Sequence, residues 1–251
     1  MRSRYTSTKK PRSQRLSRVL ATLLAGACLW YAPAASANHP VLVEGEQDFD
    51  GDGLIGTDED TDGNDQVFGT INAALGAANQ GANQNGHVII VTSGRFLEGV
   101  TITAANGDVT LQAAPGVEAE IEAVRAGDPG SAVRQGFPGI VVDAPSNRIV
   151  TIRNIVSRNW TKGIEIMGDS RVVIDTCRIE HNRDFGIHVM DFAKATITNS
   201  QVVGSGFRNG GGVDNTPAPG DGIRFDDLSS GVVASTTVSG NFAAGISNLT
   251  G

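Results

Sequence analysis

Sulfur, aromatic rings and positive charge are all scarce in this 251-residue chain. Two residues are cysteine and 5% are aromatic, so neither a disulfide framework nor a bulky aromatic core holds it together. Seven of the 20 Lys and Arg (Arg2, Arg4, Lys9, Lys10, Arg12, Arg15 and Arg18) crowd into the start, where none of the 27 acids lies. The net charge of −7 therefore becomes −14 beyond Ala37. So acidic a chain does not read as a nucleic-acid binder, because affinity for phosphates needs clustered Lys and Arg. The apolar run from Val19 to Tyr31 falls short of the ~20 residues that cross a bilayer. Leucines at fixed intervals are also missing, which excludes a leucine-rich horseshoe.

The basic start, that apolar run and the small-x-small triplet Ala35-Ser36-Ala37 have the three-part layout of a secretory signal. Cleavage there predicts a secreted or periplasmic protein that begins near Asn38 and has no membrane span. Cys177 would be its one cysteine, so no intramolecular disulfide could form. The expected organisation is a signal over 1–37, an Asp-rich segment over 38–66 and one repetitive domain over 67–251.

The repeat is carried by glycine followed by alternating apolar residues, at Gly139 (GIVVD), Gly163 (GIEIM), Gly186 (GIHVM), Gly222 (GIRFD) and Gly245 (GISNL). Their separations are 24, 23, 36 and 23 residues. The long interval holds the Gly-, Asn- and Pro-rich stretch from Gly206 to Asp221, read as a loop inserted into a regular repeat. Each repeat has a second β-branched run: Arg148 to Ile152, Val172 to Ile174, Ala195 to Ile197, and Val232 to Val233. Short strands with no helix between them predict an all-β coil whose turns stack ~4.8 Å apart. A β-sandwich would not space glycines so evenly. Asn159, Asn182 and Asn241 each stand four residues before a repeat glycine, with Ser205 in the interrupted rung. They are expected to stack, amide to amide, and to satisfy turn backbone groups.

These repeats resemble the right-handed parallel β-helix of the pectin-lyase-like superfamily, especially its NosD-like and periplasmic repeat proteins. Phe68-Gly69-Thr70-Ile71-Asn72-Ala73-Ala74-Leu75, then His87 to Val91, then Ser93-Gly94-Arg95-Phe96-Leu97-Glu98, is similar to the motif that opens the family's coil. The resemblance implies a short amphipathic N-terminal helix capping the coil, with Phe96 in place of the family's tyrosine. It covers Phe68 to the C-terminus and speaks to fold more than to activity.

Asp48-Phe49-Asp50-Gly51-Asp52-Gly53-Leu54-Ile55-Gly56-Thr57-Asp58-Glu59 matches a twelve-residue calcium loop. Asp48, Asp50 and Asp52 would supply carboxylates, Leu54 a carbonyl, Gly56 a water-mediated contact and Glu59 a bidentate carboxylate, which makes Ca²⁺ the expected cofactor. It resembles the isolated loops of dockerins and thrombospondin type 3 repeats more than a paired EF-hand. Seven acids from Asp48 to Asp62 would repel one another without metal.

Stacking predicts an outward column two residues after each repeat glycine: Val141, Glu165, His188, Arg224 and Ser247. Asp143, Met167, Met190 and Asp226 follow two residues further along. Glu165, His188, Arg224 and Asp226 are therefore the candidate catalytic or binding residues. The expected partner is a polysaccharide or cell-surface glycan, held by a non-catalytic module. The alternative is a polysaccharide lyase or glycoside hydrolase acting on acidic, pectin-like glycans, although the family's catalytic signatures are missing. A concave groove would favour catalysis and a flat, salt-paired face would favour binding. Cys177, matched by Ser200 and Thr236, reads as a small packing residue. The rung containing Ile246 reaches Gly251 without a recognisable polar cap. That predicts association of mature chains through an open edge, or else a truncated form of a longer β-helix.

Overall fold

A computed structural model of the chain describes residues 41–43, 66–79, 86–123, 137–206 and 220–249, all within the unit Asn38–Gly251. The residues read above as a secretory signal and as a calcium loop, and most of the stretch read as an inserted loop, lie outside the described residues. Strand pairing among the described residues is parallel throughout. It builds one sheet of eight strands and two of six. Successive strands enter different sheets: Val109–Ala113 the first, Ala119–Glu122 the second, Ile140–Asp143 the third, and Val150–Arg153 the first again. A parallel pair needs a long crossover, and here the other two sheets supply it. The expected all-β parallel coil is what forms.

Alternation decides which side chains face inward. In Val109–Ala113 every second residue is buried, as a half-buried strand requires. Leu111, Ile152, Ile174 and Ile197 are register partners along the first sheet, all with zero exposure. Ile140, Ile164, Ile187 and Ile223 form the equivalent column in the third. Stacked aliphatic residues, most of them β-branched, fill these two columns of the narrow interior.

At the first end the helix α1 (Ile71–Ala77) buries Ile71, Ala74 and Leu75, an i, i+3, i+4 stripe. Thr70 caps it by accepting from Ala73 N at 3.3 Å. Glu98 accepts from Ile71 N at 2.7 Å and from Asn72 N at 3.2 Å, which satisfies two more of the free N–H groups at the helix start. The Phe96-Leu97-Glu98 segment therefore has a physical role: Phe96 is buried and Glu98 ties coil to cap. Val41–Val43 falls in the Asp-rich segment expected over 38–66, yet it lies inside the first sheet, paired with Gln66–Phe68 and His87–Ile90.

The asparagine reading needs correction at one rung and in its chemistry. Arg158 pairs with Glu180, so Asn159 aligns with His181, and both are left-handed turn residues, φ 65° and 54°. The ladder instead runs Trp160, Asn182, Ser205, Asn241, the first three buried and the last half-buried. Asn182 accepts from Trp160 N at 3.0 Å and donates to Ser157 O at 3.4 Å. Asn241 likewise accepts from Ser205 N at 2.9 Å and donates to Val202 O at 3.4 Å. Trp160 plays the donor part through its indole N–H, 2.9 Å from Ile121 O. These bonds run from amide to backbone, not amide to amide, because the turn leaves strand-end carbonyls buried and in need of donors. The repeat glycines face this ladder: a Cβ on Gly163 would come within 2.6 Å of Asn182 Nδ2 and within 2.6 Å of Gly186 O.

Candidate functional site on the third sheet

The predicted column forms in register. Glu165 pairs with Val141 and His188, His188 with Arg224, and Arg224 with Ser247. Each residue comes from the same place in its rung, with its side chain turned away from the isoleucine column beside it.

Three of the four candidates meet directly. His188 Nε2 lies 2.8 Å from Asp226 Oδ2, and because a carboxylate only accepts, that nitrogen carries the hydrogen. Arg224 Nε lies 2.9 Å from both oxygens of Asp226. Glu165 stands on the other side of the ring, its Oε1 3.7 Å from His188 Nδ1 and hydrogen-bonded by Lys162 Nζ. That separation exceeds hydrogen-bonding reach, and the buried Nδ1 has no hydrogen-bond partner among the described residues. Phe185 completes the cluster, with its ring 4.7 Å from that of His188 and the Arg224 guanidinium 5.0 Å from its centroid.

Outward orientation does not leave this column exposed, as the alternation rule had implied. Glu165 retains 7% and His188 6% of full exposure, because Lys162, Phe185, Arg224 and Asp226 pack around them. Lys162, Arg224 and Asp226 remain partly accessible, with side-chain values of 23%, 22% and 18%. The face is salt-paired.

Lys162, Phe185 and Asp221 were missed by sequence reasoning. They are register partners immediately before successive repeat glycines, and that position, inspected as a column, would have revealed them. Asp221 is held by Ala244 N at 3.0 Å and Ser247 Oγ at 2.7 Å. Asp227 belongs to a turn, with φ 58°. Among the described residues no group of three or more His, Cys, Asp or Glu could hold a metal ion.

Burial opposes ionisation of Glu165, but the adjacent His188 ring and the Lys162 ammonium outweigh it and hold the carboxyl below its ordinary value. Asp226 is likewise desolvated, yet the Arg224 and His188 hydrogen bonds hold it low. A carboxyl depressed by folding contributes stability that is complete above its unfolded value and is lost as pH falls through the lower folded one. Glu165→Gln and Asp226→Asn should therefore each flatten the fall of stability below about pH 4, read from urea midpoints across a pH series. Curves parallel to that of the parent would show that the two carboxyls titrate alike folded and unfolded.

Cys177 has no part in the chemistry. Burial pushes its thiol up to about 12, and it stacks with Ser200 and Thr236 through Cys177 N to Ser200 Oγ at 3.1 Å and Ser200 N to Thr236 Oγ1 at 3.4 Å.

Residues 79–251 match the family model described as the right handed beta helix region. Comparison with curated proteins and with solved structures gives no match.

Proposed function

The chain belongs to the right-handed β-helix family, and from that premise we propose that it is an exported, calcium-binding module. It holds a polysaccharide or cell-surface glycan against its third sheet without cleaving it. The observation that carries this reading is the His188, Asp226 and Arg224 network, with contacts of 2.8 and 2.9 Å. Donors and acceptors fixed before a ligand arrives save the ordering cost of binding. The accessible rim of Lys162, Arg224 and Asp226 offers a hydroxyl-rich ligand both kinds of group, beside the Phe185 ring.

Hydrolysis would ask for a different electrostatic arrangement. A glycosidase needs one carboxyl kept protonated as general acid, whereas Glu165 and Asp226 are both held ionised. A lyase base must reach a substrate proton, yet His188 is buried with Nε2 committed to Asp226. The site sets three carboxylates, Glu165, Asp221 and Asp226, against the Lys162 ammonium and the Arg224 guanidinium, which favours neutral sugars over pectin-like acids.

Export rests on the start of the sequence, and calcium on the donor set Asp48, Asp50, Asp52, Leu54, Gly56 and Glu59, all hard oxygen ligands or spacing suited to one. Bound calcium would neutralise the acids that otherwise repel one another. It should stabilise the mature chain by about 2.7 kcal/mol at a hundredfold excess over Kd, measured as a rise in Tm that vanishes in the Asp48→Ala, Glu59→Ala variant. Identical melting in calcium and chelator would remove the metal.

A panel of neutral and acidic polysaccharides tests the glycan reading. We expect binding of a neutral glycan, weakened at least tenfold by Arg224→Ala with the fold retained. Unchanged affinity in that variant, or no binding across the panel, would sink the assignment.

A further inference from the structure

We propose that the corner where the third sheet turns into the first is a second saccharide site, one that takes a sugar bearing an anionic group. Its ligand class, though not its location, rests on the reading of the chain as a glycan binder.

Ion pairing singles out this corner. Most Lys and Arg side chains among the described residues lie against a carboxylate, as in Arg148 with Asp108, Arg153 with Asp175, and Arg183 with Asp184. Arg171 and Lys194 are the exceptions, since no ion pair joins either to an acid among the described residues. They are register partners on adjacent strands, both exposed. Like charges directly opposite each other destabilise a sheet, and neither member of this pair is closed off by a direct ion pair, although Asp169 of the adjoining turn attracts Arg171 at longer range.

The neighbouring turn adds apolar surface. Phe192 and Leu228 occupy the same place in successive rungs, as Phe192 N donates to Gly168 O at 2.9 Å and Leu228 N to Asp191 O at 3.0 Å. They are 61% and 68% exposed. Isolated exposed apolar residues are ordinary, but these two line a shallow cleft of about 310 Å³ together with Ser146, Asp169, Arg171 and Lys194. That volume suits a small ligand, at the lower end of the roughly 300–1,000 Å³ typical of such sites.

The lining fits a sugar ring. A pyranose presents a C–H face to Phe192 and Leu228 and hydroxyls to Ser146 and Asp169. A carboxylate or sulfate on the ring would neutralise Arg171 and Lys194, the guanidinium through two parallel bonds. An anionic bilayer could also draw on two cations and two apolar side chains, but the acidic character of the exported chain opposes that approach.

The test titrates the mature chain with a uronic-acid oligosaccharide, a sulfated one, a neutral one and free sulfate, following binding by calorimetry and backbone NMR shifts. We expect at least one anionic oligosaccharide to bind and to shift the amides of 167–171 and 190–194. Its Kd should weaken at least tenfold in the double variant Arg171→Gln, Lys194→Gln and also in Phe192→Ala. The two anionic arms separate carboxylate from sulfate recognition. Equal affinity in parent and variants, no binding of either anionic oligosaccharide, or free sulfate binding as tightly as the sulfated sugar would overturn the proposal. The neutral glycan should respond to Arg224→Ala and ignore the Arg171, Lys194 pair. Anionic binding that depends on Arg171 and Lys194 while no neutral glycan binds would uphold this site and remove the one on the third sheet.

Discussion

Replacing Glu122 by alanine should lower the free energy of unfolding by about 3–5 kcal/mol, the cost of breaking a buried ion pair by removing one partner. Its side chain has zero exposure. Arg95 Nε and Asn159 Nδ2 hydrogen-bond to it, and Arg158 Nε lies 3.4 Å away. Without the carboxylate, two guanidinium groups would remain beside a vacated space. Arg158 also reaches Glu120 and Glu180, so part of its charge stays compensated, which places the expected loss toward the lower end. Urea unfolding measures it as a fall in midpoint with an unchanged m-value. A loss below about 1 kcal/mol, the range of surface pairs, would mean that water reaches the carboxylate.

Gly163→Ala should be nearly as damaging, at about 3 kcal/mol, because one added methyl meets three fixed neighbours. It would lie 2.4 Å from Ile179 Cγ2, 2.6 Å from Asn182 Nδ2 and 2.6 Å from Gly186 O. Two of these belong to the stacked ladder and rung, so relief would displace Asn182 and leave Trp160 N and Ser157 O unpaired, each buried polar group costing about 1–3 kcal/mol. Gly76→Ala is the matched control, since nothing lies within 4 Å of its added Cβ. In the body of α1 that exchange should stabilise by about 0.5–1 kcal/mol. A mild effect at Gly163 would show that the rungs can separate and that the repeat glycines reflect turn flexibility instead of close approach.

That close approach explains why the coil was readable at all. A glycine facing a buried amide or indole once per rung leaves a periodic mark, and so does the alternation that puts Ile140, Ile164, Ile187 and Ile223 in one column. Outward columns follow from the same register, which is why Glu165, His188 and Arg224 were found together. Their burial was not legible, because it depends on Lys162, Phe185 and Asp226 folding over the column, and side-chain direction across a strand leaves no periodic trace. Asn159 misled for a related reason. The turn holding it is one residue shorter than the turn holding Asn182, and counting back from the glycine cannot detect where a turn loses a residue. Glu122 was invisible because Ala119-Glu120-Ile121-Glu122 alternates like any half-exposed strand.

The central claim is that the third-sheet cluster binds glycan without turning it over. Incubating the chain from Asn38 onward, with calcium in the buffer, with the tightest-binding glycan of the panel, while following reducing ends and unsaturated-product absorbance over time, tests it most directly. We expect saturable binding with no product above the protein-free control. Product that accumulates with the parent chain and disappears with His188→Ala would contradict the account and make the cluster an active site.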